Sequence, residues 1–122
     1  MKGIVLFAHG SRDPLWHRPI QAVAQRMAET ASDVPTRCAY LELTSPTLAE
    51  AASELIQQGV TQLTIVPMFL GVGKHAREDL PVLIDALRTQ YPGVHIDCQA
   101  SVGEQPEVIA LLAQVALGHP RA

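Results

Sequence analysis

The sequence predicts an α/β domain: a four-stranded parallel sheet in order 2-1-3-4, with helices on both faces, in three layers. Three observations carry this. Four short apolar segments alternate with four stretches of helical period, the βαβα pattern of a parallel sheet. Pro, Gly, Asp and Ser punctuate the breaks between them. The chain has 122 residues, enough for one core and too few for two ordinary domains. Residues 1–118 are read as a single domain, and 119–122 as a frayed tail.

The first strand is Gly3–Ala8, GIVLFA, followed at once by His9, Gly10, Ser11, Arg12 and Asp13. Asp13-Pro14 is a cap followed by a proline, and it starts a helix to about Thr30 with Ile20, Val23, Ala24, Met27 and Ala28 at helical spacing. Thr36–Leu43 is a weaker, partly alternating strand that suits a sheet edge. Ser45-Pro46 repeats the cap-and-proline device and opens a helix to about Gln58, stopped by Gly59. Its inward residues are Leu48, Ala51, Ala52, Leu55 and Ile56.

Thr61–Val66 is the third strand, closed by Pro67. A glycine-bearing loop, Gly71-Val72-Gly73, delivers Lys74, His75 and Arg77 ahead of a helix from about Asp79 to Gln90, with Pro81 in its first turn. Val94–Ala100 is the fourth strand. The last helix runs from Glu104 to Leu117, with Gly118 after it. Right-handed crossovers make 2-1-3-4 the natural strand order. The chain order reverses between strands one and three, so a ligand belongs at their C-terminal ends.

Composition excludes several functions. Lys+Arg 9 against Asp+Glu 12 gives a net charge of −3, without the basic footprint of a nucleic-acid binder. There is no apolar run long enough for a membrane span and no basic leader, so the cytoplasm is the default setting. Cys38 and Cys98 form no CxxC. On opposite outer strands they lie roughly 14 Å apart, too far for a disulfide. Neither HGSRD nor GVGKH has the spacing of a dinucleotide or phosphate loop.

The chemistry concentrates at the strand ends. One loop histidine is most simply a satisfied polar group, but His9 and His75 together at one switch point suggest a site. Neutral imidazole ligates late divalent metals and is a base near pH 7. Glu42, near the end of strand two, adds a carboxylate, and the three make an open site for a divalent ion. Ser11, Arg12, Lys74 and Arg77 surround the same end and form the expected contacts to an anionic substrate, by bidentate contacts where arginine serves. Arg18 is as readily a solvated helix charge. Asp13, Glu78 and Asp79 read as helix N-terminal charges. His17, His95 and His119 read as structural, and Trp16 either covers a flat ligand or packs on the first helix.

FAHGSRDP (7–14), YLELTSPTL (40–48), VPMFLGVGKHAREDLP (66–81) and YPGVHI (91–96) resemble the small class II chelatases of the CbiX type, which insert cobalt into sirohydrochlorin, and their iron-inserting SirB relatives. The likeness spans nearly the whole chain and is most specific in pairing HGSR with the GKH string. It implies one lobe of a chelatase-like fold, with His9 and His75 as metal ligands and proton acceptors and Glu42 as their acidic partner. It implies a lyase of cobalamin or siroheme synthesis acting on sirohydrochlorin, with Co²⁺, or else Fe²⁺ or Ni²⁺, as a substrate and no organic cofactor. It also implies a homodimer, since larger members carry two lobes in one chain. Ala76 stands where some members have a second histidine. The alternatives are a non-catalytic metal or tetrapyrrole carrier on the same fold, and a metal-free enzyme acting on an anionic metabolite.

Overall fold

Alternate residues of the first strand face opposite layers, and this divides the core in two. The computed structural model describes residues 1–118. Strand β1 (Lys2–Ala8) pairs in parallel with β2 (Thr36–Tyr40) on one side and β3 (Gln62–Pro67) on the other, and β4 (His95–Cys98) pairs with β3. The strand order is 2-1-3-4, as the sequence predicts.

On one face Val5, Phe7, Leu63, Ile65 and Ile96 meet two helices, α2 (Leu48–Gln57) and α3 (Lys74–Gln90). Leu48, Ala51, Ala52 and Leu55 come from α2, and Ala76, Ile84 and Leu87 from α3. On the other face Ile4, Leu6, Ala8 and Val66 meet Ile20, Ala24 and Met27 of α1 (Arg18–Thr30). The small Ala51 and Ala52 bring α2 close to the sheet, so the larger core fits at interior density.

The last helix, α4 (Pro106–Leu117), has no buried residue. It follows a 3₁₀ turn at Val102–Glu104 and ends on Gly118 at φ 72°, a left-handed stop suited to glycine. No helix among the described residues is long and apolar enough to cross a membrane.

Strands β1, β3 and β4 and helix α4 differ from the sequence reading by one or two residues at their ends; four other boundary differences bear on the site. The first helical segment is split into a 3₁₀ turn over Pro14–His17 and α1. Strand β2 ends at Tyr40 rather than Leu43, because a bend with Leu43 at φ 70° turns the chain away. Thr47, not Ser45, caps α2, closing a reciprocal pair with Glu50; Pro46 stays outside as a carbonyl partner of Tyr40. Most consequential, α3 begins at Lys74 on a Gly73 cap. Pro81 suggested a helix start, yet it lies inside the helix, where its ring leaves one intrahelical N–H bond unmade. The tail reading at 119–122, and His119 with it, lies outside the described residues.

Candidate functional site

β1, β2 and β3 run parallel, so the segments that follow them leave one edge of the sheet. The first two are joined by backbone bonds. Leu41 N–H donates to the Ala8 carbonyl at 2.8 Å and Glu42 N–H to the His9 carbonyl at 3.0 Å. Gly10, at φ 92°, packs against the Glu42 carbonyl so closely that a Cβ would collide with it. His9 and Glu42 therefore have adjacent backbones although 33 residues of sequence separate them.

The β3 side is tied in through Phe69. Its ring packs on His9, with centroids 4.5 Å apart, and edge-on to Phe7 at 6.1 Å. The buried Ser101 hydroxyl donates to the Phe69 carbonyl at 2.6 Å, and Gly103 N–H reaches the same oxygen at 3.0 Å. The half-buried His9 ring makes no hydrogen bond among the described residues, so its nitrogens are available.

His75 is the second residue of α3 and is exposed. A helix places residues four apart on one face, and Asp79 lies 2.7 Å from His75 Nε2. Lys74 pairs with Glu78 at 3.9 Å one residue back. Arg77 folds onto the Val72 carbonyl at 2.9 Å, so it holds the loop before α3. Arg12 makes no ion pair or hydrogen bond among the described residues. Ser11 Oγ accepts from Asp13 N–H at 3.0 Å, and Asp13 accepts from Leu15 N–H at 2.9 Å.

The structure thus brings His9 and Glu42 together along the backbone and puts His75 on the next strand's outlet. It does not gather their side chains: among the described residues no three His, Cys, Asp or Glu groups come together as a metal cluster. His75 is engaged by Asp79 instead. Asp79, read from the sequence as a plain helix-end charge, is instead the partner of His75. Cys38 and Cys98 are free, on the two outer strands. Burial pushes both thiols up, opposed at Cys98 by the Arg88 charge, which disfavours the thiolate form a metal needs.

Apolar side chains crowd the same edge. Leu15, Trp16, Leu43 and Leu70 are 53–73% exposed, each beyond the end of β1, β2 or β3. Of these, Trp16 lines a cleft of about 320 Å³, together with His17, Tyr40 and Met68 among others. Three of these exposed side chains, and the role of Phe69, escape a sequence reading, since a lone leucine in a loop has no periodicity. Asp79 was readable from its i+4 spacing to His75.

The sequence profile of the CbiX family matches residues 3–117. Sirohydrochlorin cobaltochelatase of Methanosarcina acetivorans is 35% identical over 67% of this chain, and that of Methanopyrus kandleri 31% over 69%. The matched stretch spans only 63% and 59% of those two proteins. The Saccharolobus solfataricus cobaltochelatase is 33% identical over 80% of this chain and 77% of its own. Among solved structures, a CbiX protein from Marinobacter aquaeolei VT8 superposes with a TM-score of 0.83, 32% identity and coverage of 97% and 96% of the two chains. The sirohydrochlorin chelatase SirB of Bacillus subtilis subspecies spizizenii, in complex with cobalt, gives 0.78 at 25% identity, over 96% of this chain and half of SirB.

Proposed function

The chain belongs to the CbiX family, and from that premise we propose that it is a metal chelatase lobe that inserts a divalent ion, Co²⁺ foremost, into sirohydrochlorin. The observation that carries the reading is the stitched strand ends. Two backbone bonds hold Glu42 beside His9, and His75 leaves the neighbouring parallel strand at the same edge.

Insertion replaces two pyrrole N–H protons by M²⁺ and releases two H⁺. The site must therefore hold a hydrated ion with positions open to the ring, hold the ring, and accept protons. His9 and His75 supply neutral nitrogen donors, and Glu42 or an imidazole takes the protons. Arg12 and Lys74 meet the substrate's carboxylates. Leu15, Trp16, Leu43 and Leu70 offer apolar cover to a flat macrocycle. Nothing in this scheme requires an organic cofactor, and Fe²⁺ and Ni²⁺ compete for the same nitrogen and oxygen donors.

A second copy completes the cleft in this reading. Among the described residues no three donors are gathered within one lobe, and α4 exposes Ile109, Leu111, Leu112, Val115 and Leu117 with Glu107 its one charge. Covering five such side chains removes roughly 300–600 Å² of apolar surface. Two helices and the surfaces receiving them approach roughly 1,200–2,400 Å², the size of a stable interface.

An absorbance time course of sirohydrochlorin with Co²⁺, with and without the protein, tests the proposal. Insertion faster than the uncatalysed rate is the expected result, and repeats with Fe²⁺ and Ni²⁺ rank the metals. A rate equal to background, with metal or ring still bound, would make the protein a carrier.

A further inference from the structure

His17 is the one buried histidine among the described residues, and the chemistry above does not use it. It ends the 3₁₀ turn after the first loop. Its Nε2 accepts a hydrogen bond from the backbone N–H of Ser11 at 3.2 Å. Its ring lies on Tyr40, centroids 4.5 Å apart and tilted by 34°. Tyr40 is the last residue of β2, from which Leu41 and Glu42 leave for their bonds to Ala8 and His9.

One imidazole thus ties the loop that carries Ser11 and Arg12 to the end of the strand that carries Glu42. An acceptor Nε2 is a bare nitrogen, so the neutral ring holds its proton on Nδ1. Protonating Nε2 would set two donors against each other. At its start the loop is tied to the β2 outlet through the His9 carbonyl and Gly10. From Ser11 onward its other bonds are local, Asp13 N–H to Ser11 Oγ, Leu15 N–H to Asp13 and Trp16 N–H to the Asp13 carbonyl. Those bonds shape the turn without fixing it to the sheet. Arg12, which has no partner of its own among the described residues, is aimed by whatever holds Ser11.

We propose that His17 is a positioning residue: as the Nδ1–H tautomer it anchors the Ser11–Arg12 backbone against β2 and so aims Arg12 at the carboxylates of the substrate. The anchor itself is independent of the reaction; its effect on turnover rests on the chelatase reading. The role belongs to ground-state binding, so losing it should act on KM more than on kcat.

The test uses the full chain with ¹⁵N-labelled histidine, and the variants H17Q and H17L. Nitrogen NMR should show His17 protonated on Nδ1, with a scalar coupling across the bond from the Ser11 amide to Nε2. H17L should raise KM for sirohydrochlorin about three- to tenfold, the worth of one hydrogen bond, at nearly unchanged kcat. H17Q, which keeps an acceptor, should restore most of the loss. A His17 protonated on Nε2, wild-type KM in H17L, or H17Q no better than H17L would each overturn the proposal. Should wild type fail to insert metal, the chelatase reading falls, and the tautomer and coupling still decide the anchor. Should H17L fail to fold, the tautomer and the H17Q kinetics decide it.

Discussion

At the residue scale the site depends on close backbone approach more than on side-chain bonds. Gly10 has φ 92° and no room for a Cβ beside the Glu42 carbonyl. Gly10→Ala should therefore cost about 1–3 kcal/mol, the range for a non-glycine residue forced into such backbone, read as a lower urea midpoint at unchanged slope. An unchanged midpoint would mean that the loops are not stitched as described. Asp79 acts instead through its side chain, on His75. A carboxylate on a metal-binding histidine orients the ring, and its loss typically weakens metal affinity about 10–100-fold. The pair is exposed and contributes little to stability. Asp79→Asn should thus raise the Co²⁺ concentration for half-maximal insertion about tenfold and leave the melting temperature where it was. A shifted melting temperature with unchanged Co²⁺ dependence would make Asp79 a structural residue.

At the scale of elements, the parallel sheet was legible because each strand is a short β-branched or apolar run between turn residues, and because α1, α2 and α3 carry a clear apolar stripe. Their ends were less legible. Ser45-Pro46 and Pro81 both mimic the start of a helix, while the operative signals were Thr47 with Glu50 three residues on, and Gly73 before Lys74. The second of these moved His75 from a loop into a helix and disclosed its Asp79 partner. His9, His75 and Glu42 were legible as chemistry-bearing types at strand ends. That their side chains do not cluster was not legible, since side-chain direction depends on where α3 begins. The capping box at α2 holds the segment returning from Glu42. Thr47→Ala should destabilise the protein by about 1 kcal/mol, seen in urea unfolding. A Thr47→Ala midpoint equal to wild type would deny the cap any role in holding that segment.

At the scale of the whole molecule, α4 is out of keeping with the other helices. It is apolar, none of its residues is buried, and it starts beside the Phe69–Leu70 segment that Ser101 and Gly103 hold. In the proposed reading a second copy covers α4, which links assembly to catalysis. Replacing Leu112 and Val115 by Asp should shift the mass in sedimentation equilibrium from two chains to one and lower insertion to background. A variant that is monomeric yet fully active would remove the second copy from the scheme.

In the proposed reading, histidines at two neighbouring strand ends carry metal insertion. The most direct measurement is the rate of Co²⁺ insertion into sirohydrochlorin by wild type, His9→Ala and His75→Ala, each checked for folding. Wild type should run well above the uncatalysed rate and both variants at or near it. Either variant retaining the wild-type rate while folded would contradict that reading.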